Sequence, residues 1–127
     1  MDAYVLGLSL HPPEEVNRRH RLEEMVYHTA HAALEDAQVT RGQLDAVTLG
    51  ACDEFDGRSI SSMLMAMPAG AYLRDESKVT DSGAMALCLA AVRIESGESD
   101  LGMVASWCKT SKTDIEAVMR FRGEPFY

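Results

Sequence analysis

Apolar residues occur along this chain in short runs separated by charged, glycine or proline punctuation, and the spacing within the runs changes from one to the next. Tyr4-Val-Leu-Gly-Leu-Ser-Leu10 is almost continuously apolar and stops at His11-Pro12-Pro13, which predicts a buried first strand. From about residue 14 to 37 the period becomes helical. Leu22, Met25, Val26, Thr29, Ala30, Ala33, Leu34 and Ala37 fall at i, i+3, i+4 intervals and form one stripe. Val39-Thr-Arg-Gly42 ends that helix, and Ala46 to Ala51 predicts a second strand. A polar loop, Cys52 to Arg58, leads to a methionine-rich segment, Met63 to Met67, closed by Pro68-Ala-Gly70. Lys78 to Thr80 then predicts a third strand, and Ser82 to Glu95 a helix stopped at Ser96-Gly97. Leu101 to Trp107 predicts a fourth strand, and Asp114 to Phe121 a weaker helix.

The succession β-α-β-α-β-α-β predicts an α/β fold. Strands that alternate with helices pair in parallel through right-handed crossovers, and helices cover both faces of the sheet. Residues 1–110 make up this layered unit, and 111–127 a helical or loop tail.

Composition narrows the classes. A chain of 127 residues, 46% hydrophobic and 25% charged, suits one domain with a real core. A net charge of -8 argues against a nucleic-acid surface, since Arg18, Arg19 and Arg21 cluster only among glutamates. Cys52, Cys88 and Cys108 form an odd, widely spaced set without a CxxC pair, which suits free thiols in a reducing compartment. The N-terminus has no signal-peptide pattern and no apolar run reaches membrane-spanning length. The expectation is a soluble cytoplasmic protein that partners neither nucleic acid nor membrane.

The candidate chemistry centres on the third strand and its helix. A strand that turns directly into a helix is a common mount for a nucleophile, because the helix N-terminus offers unpaired N–H groups and a positive dipole end. A cysteine there would ionise more readily. This chain instead has Thr80, Asp81, Ser82 and Gly83, and its nearest thiol, Cys88, lies two turns later. A threonine hydroxyl is far harder to ionise, so no catalytic residue is assigned to the junction. The plainer reading makes Ser82 an N-cap, Asp81 a dipole partner and Gly83 a close-packing residue.

Asp53, Glu54, Asp56 and Arg58 crowd the loop, but their spacing is not that of an EF-hand. An Asp56–Arg58 turn contact is expected. Glu24, His28, His31 and Glu35 share one helical face, opposite the apolar stripe, which favours solvated ion pairs over a metal site. The Ser82–Glu95 helix is apolar on nearly all sides, with Met85, Leu87, Cys88, Leu89, Ala91 and Val92 forming an aliphatic face.

Taken in order, several stretches resemble the N-terminal half of a thiolase, particularly the proteins related to sterol carrier protein thiolases. They are Ala30 to Val39, Asp45 to Gly50, Asp53 to Ser61, Ser82 to Gly97 and Asp100 to Lys109. The resemblance implies half of a thiolase-type layered fold. Where a degradative thiolase has Cys-Ala-Ser-Gly, this chain has Thr80-Asp81-Ser82-Gly83, so the usual nucleophile is missing. It also implies that relatives run on past Tyr127 into a second half, which holds the family's catalytic histidine and second cysteine. The last strand of the family's first half-sheet is likewise missing.

The implied function is that of a non-nucleophilic subunit of a split thiolase-like enzyme. Its substrate would be an acyl-CoA or related thioester, with no bound cofactor or metal, in Claisen, retro-Claisen or retro-aldol chemistry. The implied partners are a polypeptide carrying the second half and a small zinc-ribbon/OB-fold protein, in a hetero-oligomer. Asp56, Arg58 and Met85 become the candidates for substrate wall or chain interface. The alternative is a catalytically inactive scaffold, structural or regulatory, that stabilises a partner. A further rival is a stand-alone binding module that uses the Asp53 to Arg58 loop.

Overall fold

The computed structural model describes residues 2–80 and 82–123. Its centre is a parallel three-stranded sheet: β1 (Ala46–Gly50), β2 (Asp75–Val79) and β3 (Gly102–Ser106), in the order β2-β1-β3. The register pairs Ala46 with both Asp75 and Gly102, and Gly50 with both Val79 and Ser106. The helices are α1 (Leu22–Asp36), α2 (Asp53–Asp56), α3 (Ser62–Met65), α4 (Gly83–Glu95) and α5 (Ile115–Arg122).

Side-chain alternation along the central strand divides the molecule into layers. Val47, Leu49 and Ala51 join Leu22, Val26 and Ala30 of α1, Met65 of α3, and Met103 and Trp107 in one apolar cluster. Leu49, Val47 and Met65 are fully buried there, each contributing about 1.5–3 kcal/mol of transfer free energy. The opposite face receives α4. A Cβ on Gly50 would lie 2.8 Å from the Ser82 carbonyl oxygen and 2.9 Å from the Ala86 Cβ. On Gly83 it would lie 2.6 Å from the Ser106 side chain. The two glycines let the first turn of α4 rest directly on the sheet. Further along, Arg93 is buried against β2, where it donates to Ser77 Oγ at 2.9 Å and to Asp75, and it also pairs with Glu98 at 2.8 Å.

The predicted α/β class and parallel sheet are present, with one strand fewer. Tyr4–Leu10 makes no ladder. It is neither helix nor strand, and its apolar side chains are exposed, from 60% at Leu6 to 79% at Tyr4. Gly7 lies against the backbone of Ala37, and Leu8 N donates to Asp36 Oδ2 at 2.9 Å, so the segment is seated on the end of α1. The helix after it begins at Leu22 rather than near residue 14. Asn17 Oδ1 accepts from both Arg19 N and His20 N at 3.0 Å, and this local turn competes with helix. Glu24 then closes the helix start by accepting from Arg21 N at 2.7 Å.

The polar loop after β1 contains a helical turn, and the helix predicted between the second and third strands is reduced to another. Residues 53–56 form α2, stopped by Gly57 in the left-handed region, and the methionine-rich segment contains α3. β2 is longer than its three-residue prediction, because parallel pairing with β1 recruits the polar Asp75, Glu76 and Ser77. Among the described residues, no helix is long and apolar enough to cross a membrane.

Candidate functional site

The chain leaves β1 for α2 and α3, which lie on the α1 side of the sheet, and leaves β2 for α4 on the other. Two adjacent parallel strands therefore send their following segments to opposite faces. In open α/β sheets, the crevice beyond the carboxyl ends of such strands is the usual ligand position. A crevice of about 350 Å³ lies there, lined by Asp53, Glu54, Arg58, Ser59, Thr80 and Arg122. The fold thus brings Arg58 of the loop and Thr80 of the junction to one cavity, together with α5, which the sequence leaves unconnected to either.

Several side chains hold the crevice in shape. Lys78 Nζ donates to Asp53 Oδ1 at 2.5 Å and to Ser61 Oγ at 3.1 Å. Ser61 N also donates to Asp53 Oδ1 at 3.1 Å. Burial pushes the Asp53 carboxyl up, but the bonds from Lys78 and Ser61 outweigh it and hold the group below its ordinary value. Arg58 Nη1 meets Glu23 Oε1 of α1 at 3.1 Å, which ties the loop to the helix below.

Cys52 is buried between opposite charges. Its thiol donates to Glu54 Oε2 at 2.9 Å, and Arg122 Nη1 donates to its sulfur at 2.8 Å. Burial and then the Glu54 hydrogen bond raise the thiol above its ordinary range, so it is a structural thiol and a poor nucleophile. Arg122 also stands 5.5 Å over the Phe55 ring, which fixes α5 on α2.

Asp56 lies elsewhere. It is 2% exposed and accepts from Trp107 Nε1 and Lys109 N, both at 2.9 Å. The expected Asp56–Arg58 contact is not formed. The αL stop at Gly57 turns Asp56 inward to β3 and sends Arg58 back to α1. Asp56 is therefore the clip between α2 and the segment following β3. Burial raises its carboxyl above the ordinary value, against the pull of the Lys109 and Trp107 donors.

At the junction, Ser82 caps α4 by accepting from Met85 N at 3.4 Å, and Gly83 supplies the close approach to Ser106. Asp81 lies outside the described residues. Met85 is half-exposed on the outward side of α4, in a patch with Leu87, Leu89 and Val92, and Cys88 is exposed beside them. Among the described residues, nothing buries this part of the aliphatic face read from the sequence. On α1, His31 pairs with Glu35 at 3.3 Å and His28 stands edge-on to Tyr27 at 5.5 Å.

The sequence did not single out Lys78, Ser61 or Arg122. Lys78 is the one cation in a polar edge strand, Ser61 lies in a run of hydroxyls, and Arg122 closes the weakest helical pattern. Only the topology joins them. No protein-family model matches this sequence, and no curated protein matches it.

Proposed function

We propose that this chain is the non-nucleophilic subunit of a split thiolase-like enzyme acting on acyl-CoA or related thioesters. A polypeptide carrying the second half of that fold would supply the acid–base groups and oxyanion donors for carbon–carbon bond formation or cleavage. This chain would supply scaffold, interface and part of the substrate wall, through Arg58 and Thr80 in the crevice. A zinc-ribbon/OB-fold protein is a third proposed component.

One observation carries the reading. α4, the helix that follows the thiolase-like junction, buries Ala86 and Arg93 against the sheet and leaves Met85, Leu87, Leu89 and Val92 open to solvent. A contiguous apolar face of this kind marks an interaction surface. The free edge of β3 gives further support. Its sequence, Gly-Met-Val-Ala-Ser, has no charge, whereas the other edge strand, β2, has Asp75, Glu76 and Lys78. Charged side chains protect an edge from further pairing, and β3 has none.

The test is co-expression with polypeptides that carry a thiolase second half, followed by acyl-CoA turnover, read as free thiol released in Claisen condensation, free thiol consumed in retro-Claisen cleavage, or carbonyl product formed in retro-aldol cleavage. A stable complex with turnover is expected. Absence of any complex overturns the reading. A stable complex without turnover favours the inactive scaffold, an alternative consistent with the mutual engagement of Asp53 and Lys78.

A further inference from the structure

We propose that the crevice between the carboxyl ends of β1 and β2 is a binding site for an oxyanion, a carboxylate or a phosphate, with the Arg122 guanidinium as its principal ligand. The inference rests on the hydrogen-bonding capacity of the lining and holds whether or not the thioester reading does.

Of the two acids in the lining, Asp53 is matched and Glu54 is engaged only by a thiol, a weak donor. Asp53 accepts from Lys78 and from Ser61 N, and Glu54 accepts the Cys52 thiol. Arg58, the second cation, is anchored to Glu23, so its position is fixed and its charge largely met. Arg122 differs. A guanidinium has five N–H donors in a planar fork. Among the described residues, one of these is spent, on the sulfur of Cys52, a weak acceptor. The Phe55 ring below it orients the group without consuming a donor. Ser59 and Thr80 add two exposed hydroxyls to the same wall. Donors on Arg122, Ser59 and Thr80 outnumber the one partly engaged acceptor, Glu54, and an acceptor-rich anion is the ligand class that uses them. An Arg fork receives a carboxylate or phosphate through two parallel bonds.

The site also has built-in geometry. The loop bearing Ser59 is pinned by the Arg58–Glu23 pair, Thr80 follows directly on β2 and its ladder with β1, and Arg122 is held by Phe55 and Cys52. Three separate elements thus converge on one cavity with their donors held in place, which lowers the ordering cost of binding.

The probes are inorganic phosphate and acetate, each titrated into the whole chain against chloride at equal ionic strength and followed by amide chemical shifts. Saturable shifts at Ser59, Thr80 and Arg122 are expected with at least one probe. A response to phosphate alone assigns a phosphate-bearing ligand, and a response to acetate alone a carboxylate. Arg122→Ala should weaken binding about tenfold or more, the usual scale for losing a charge-assisted bond. Arg122→Lys, which keeps the charge and loses the fork, should bind several-fold more weakly than wild type. Shifts no larger than those with chloride would overturn the proposal. So would undiminished affinity in either variant, and the conservative Lys variant keeps the test usable if the Ala variant unfolds.

Discussion

Asp56 shows how one buried side chain organises this molecule. A carboxylate with two lone-pair-rich oxygens is the only acceptor offered to the Trp107 indole N–H and the Lys109 amide among the described residues. Removing it leaves one buried and one partly buried donor unmatched, at about 1–3 kcal/mol for a fully buried one. Asp56→Ala should therefore lower stability by about 2–4 kcal/mol at neutral pH, measured by chemical denaturation with Trp107 fluorescence as the probe. The pH dependence has a definite sign. Burial raises the folded carboxyl above its unfolded value, so the folded state holds this proton to higher pH. The group's contribution is full in acid, below the unfolded value, and declines as pH rises through the folded one. The stability gap between wild type and Asp56→Ala should accordingly be largest in acid and narrow toward neutrality. A gap that widens with pH would reverse the assignment. Asp53 has the opposite tendency, since Lys78 and Ser61 hold it below its ordinary value and its contribution is lost as pH falls through that lower value.

At the scale of elements, the approach of α4 to the sheet depends on glycines rather than on large apolar contacts. Gly83 occupies a position where any side chain would meet Ser106 at 2.6 Å. Gly83→Val should destabilise the chain by about 1–3 kcal/mol, the usual cost of overpacking, and should lower the thermal midpoint. An unchanged midpoint would mean that α4 is not seated as described. The elements also show what the sequence could and could not reveal. β1, α4, β3 and the body of α1 were legible because their apolar periods are long and their ends are punctuated by glycine or by a cap. β2 was legible only at its end, because an edge strand can afford polar residues and so loses the apolar run that marks a strand. Tyr4–Leu10 has the composition of a strand but joins no edge of the sheet, and composition cannot report pairing. At the site, Arg58 and Thr80 were visible individually. Their meeting with Arg122 was not, because it depends on α2 and α4 leaving adjacent strands toward opposite faces.

For the whole molecule, the sum of its exposed apolar surface is the dominant fact. The outward face of α4, the Tyr4–Leu10 segment and the uncharged edge of β3 are separate parts of the surface, and each is apolar where a self-sufficient domain would be polar. Apolar surface costs roughly 25 cal/mol per Å² to leave in water, so covering even part of it is a strong drive to associate. The proposed complex places that drive on α4, and polar residues introduced there should oppose it without touching the core, since Met85 and Val92 are 52% and 58% exposed. Sedimentation velocity of the purified chain, beside a Met85→Glu/Val92→Glu variant, tests this most directly. The bare α4 face predicts that the wild-type chain sediments as an associated species and the variant as a folded monomer. A wild-type chain that sediments as a monomer, melts cooperatively and is indistinguishable from the variant would contradict the claim that α4 awaits a partner.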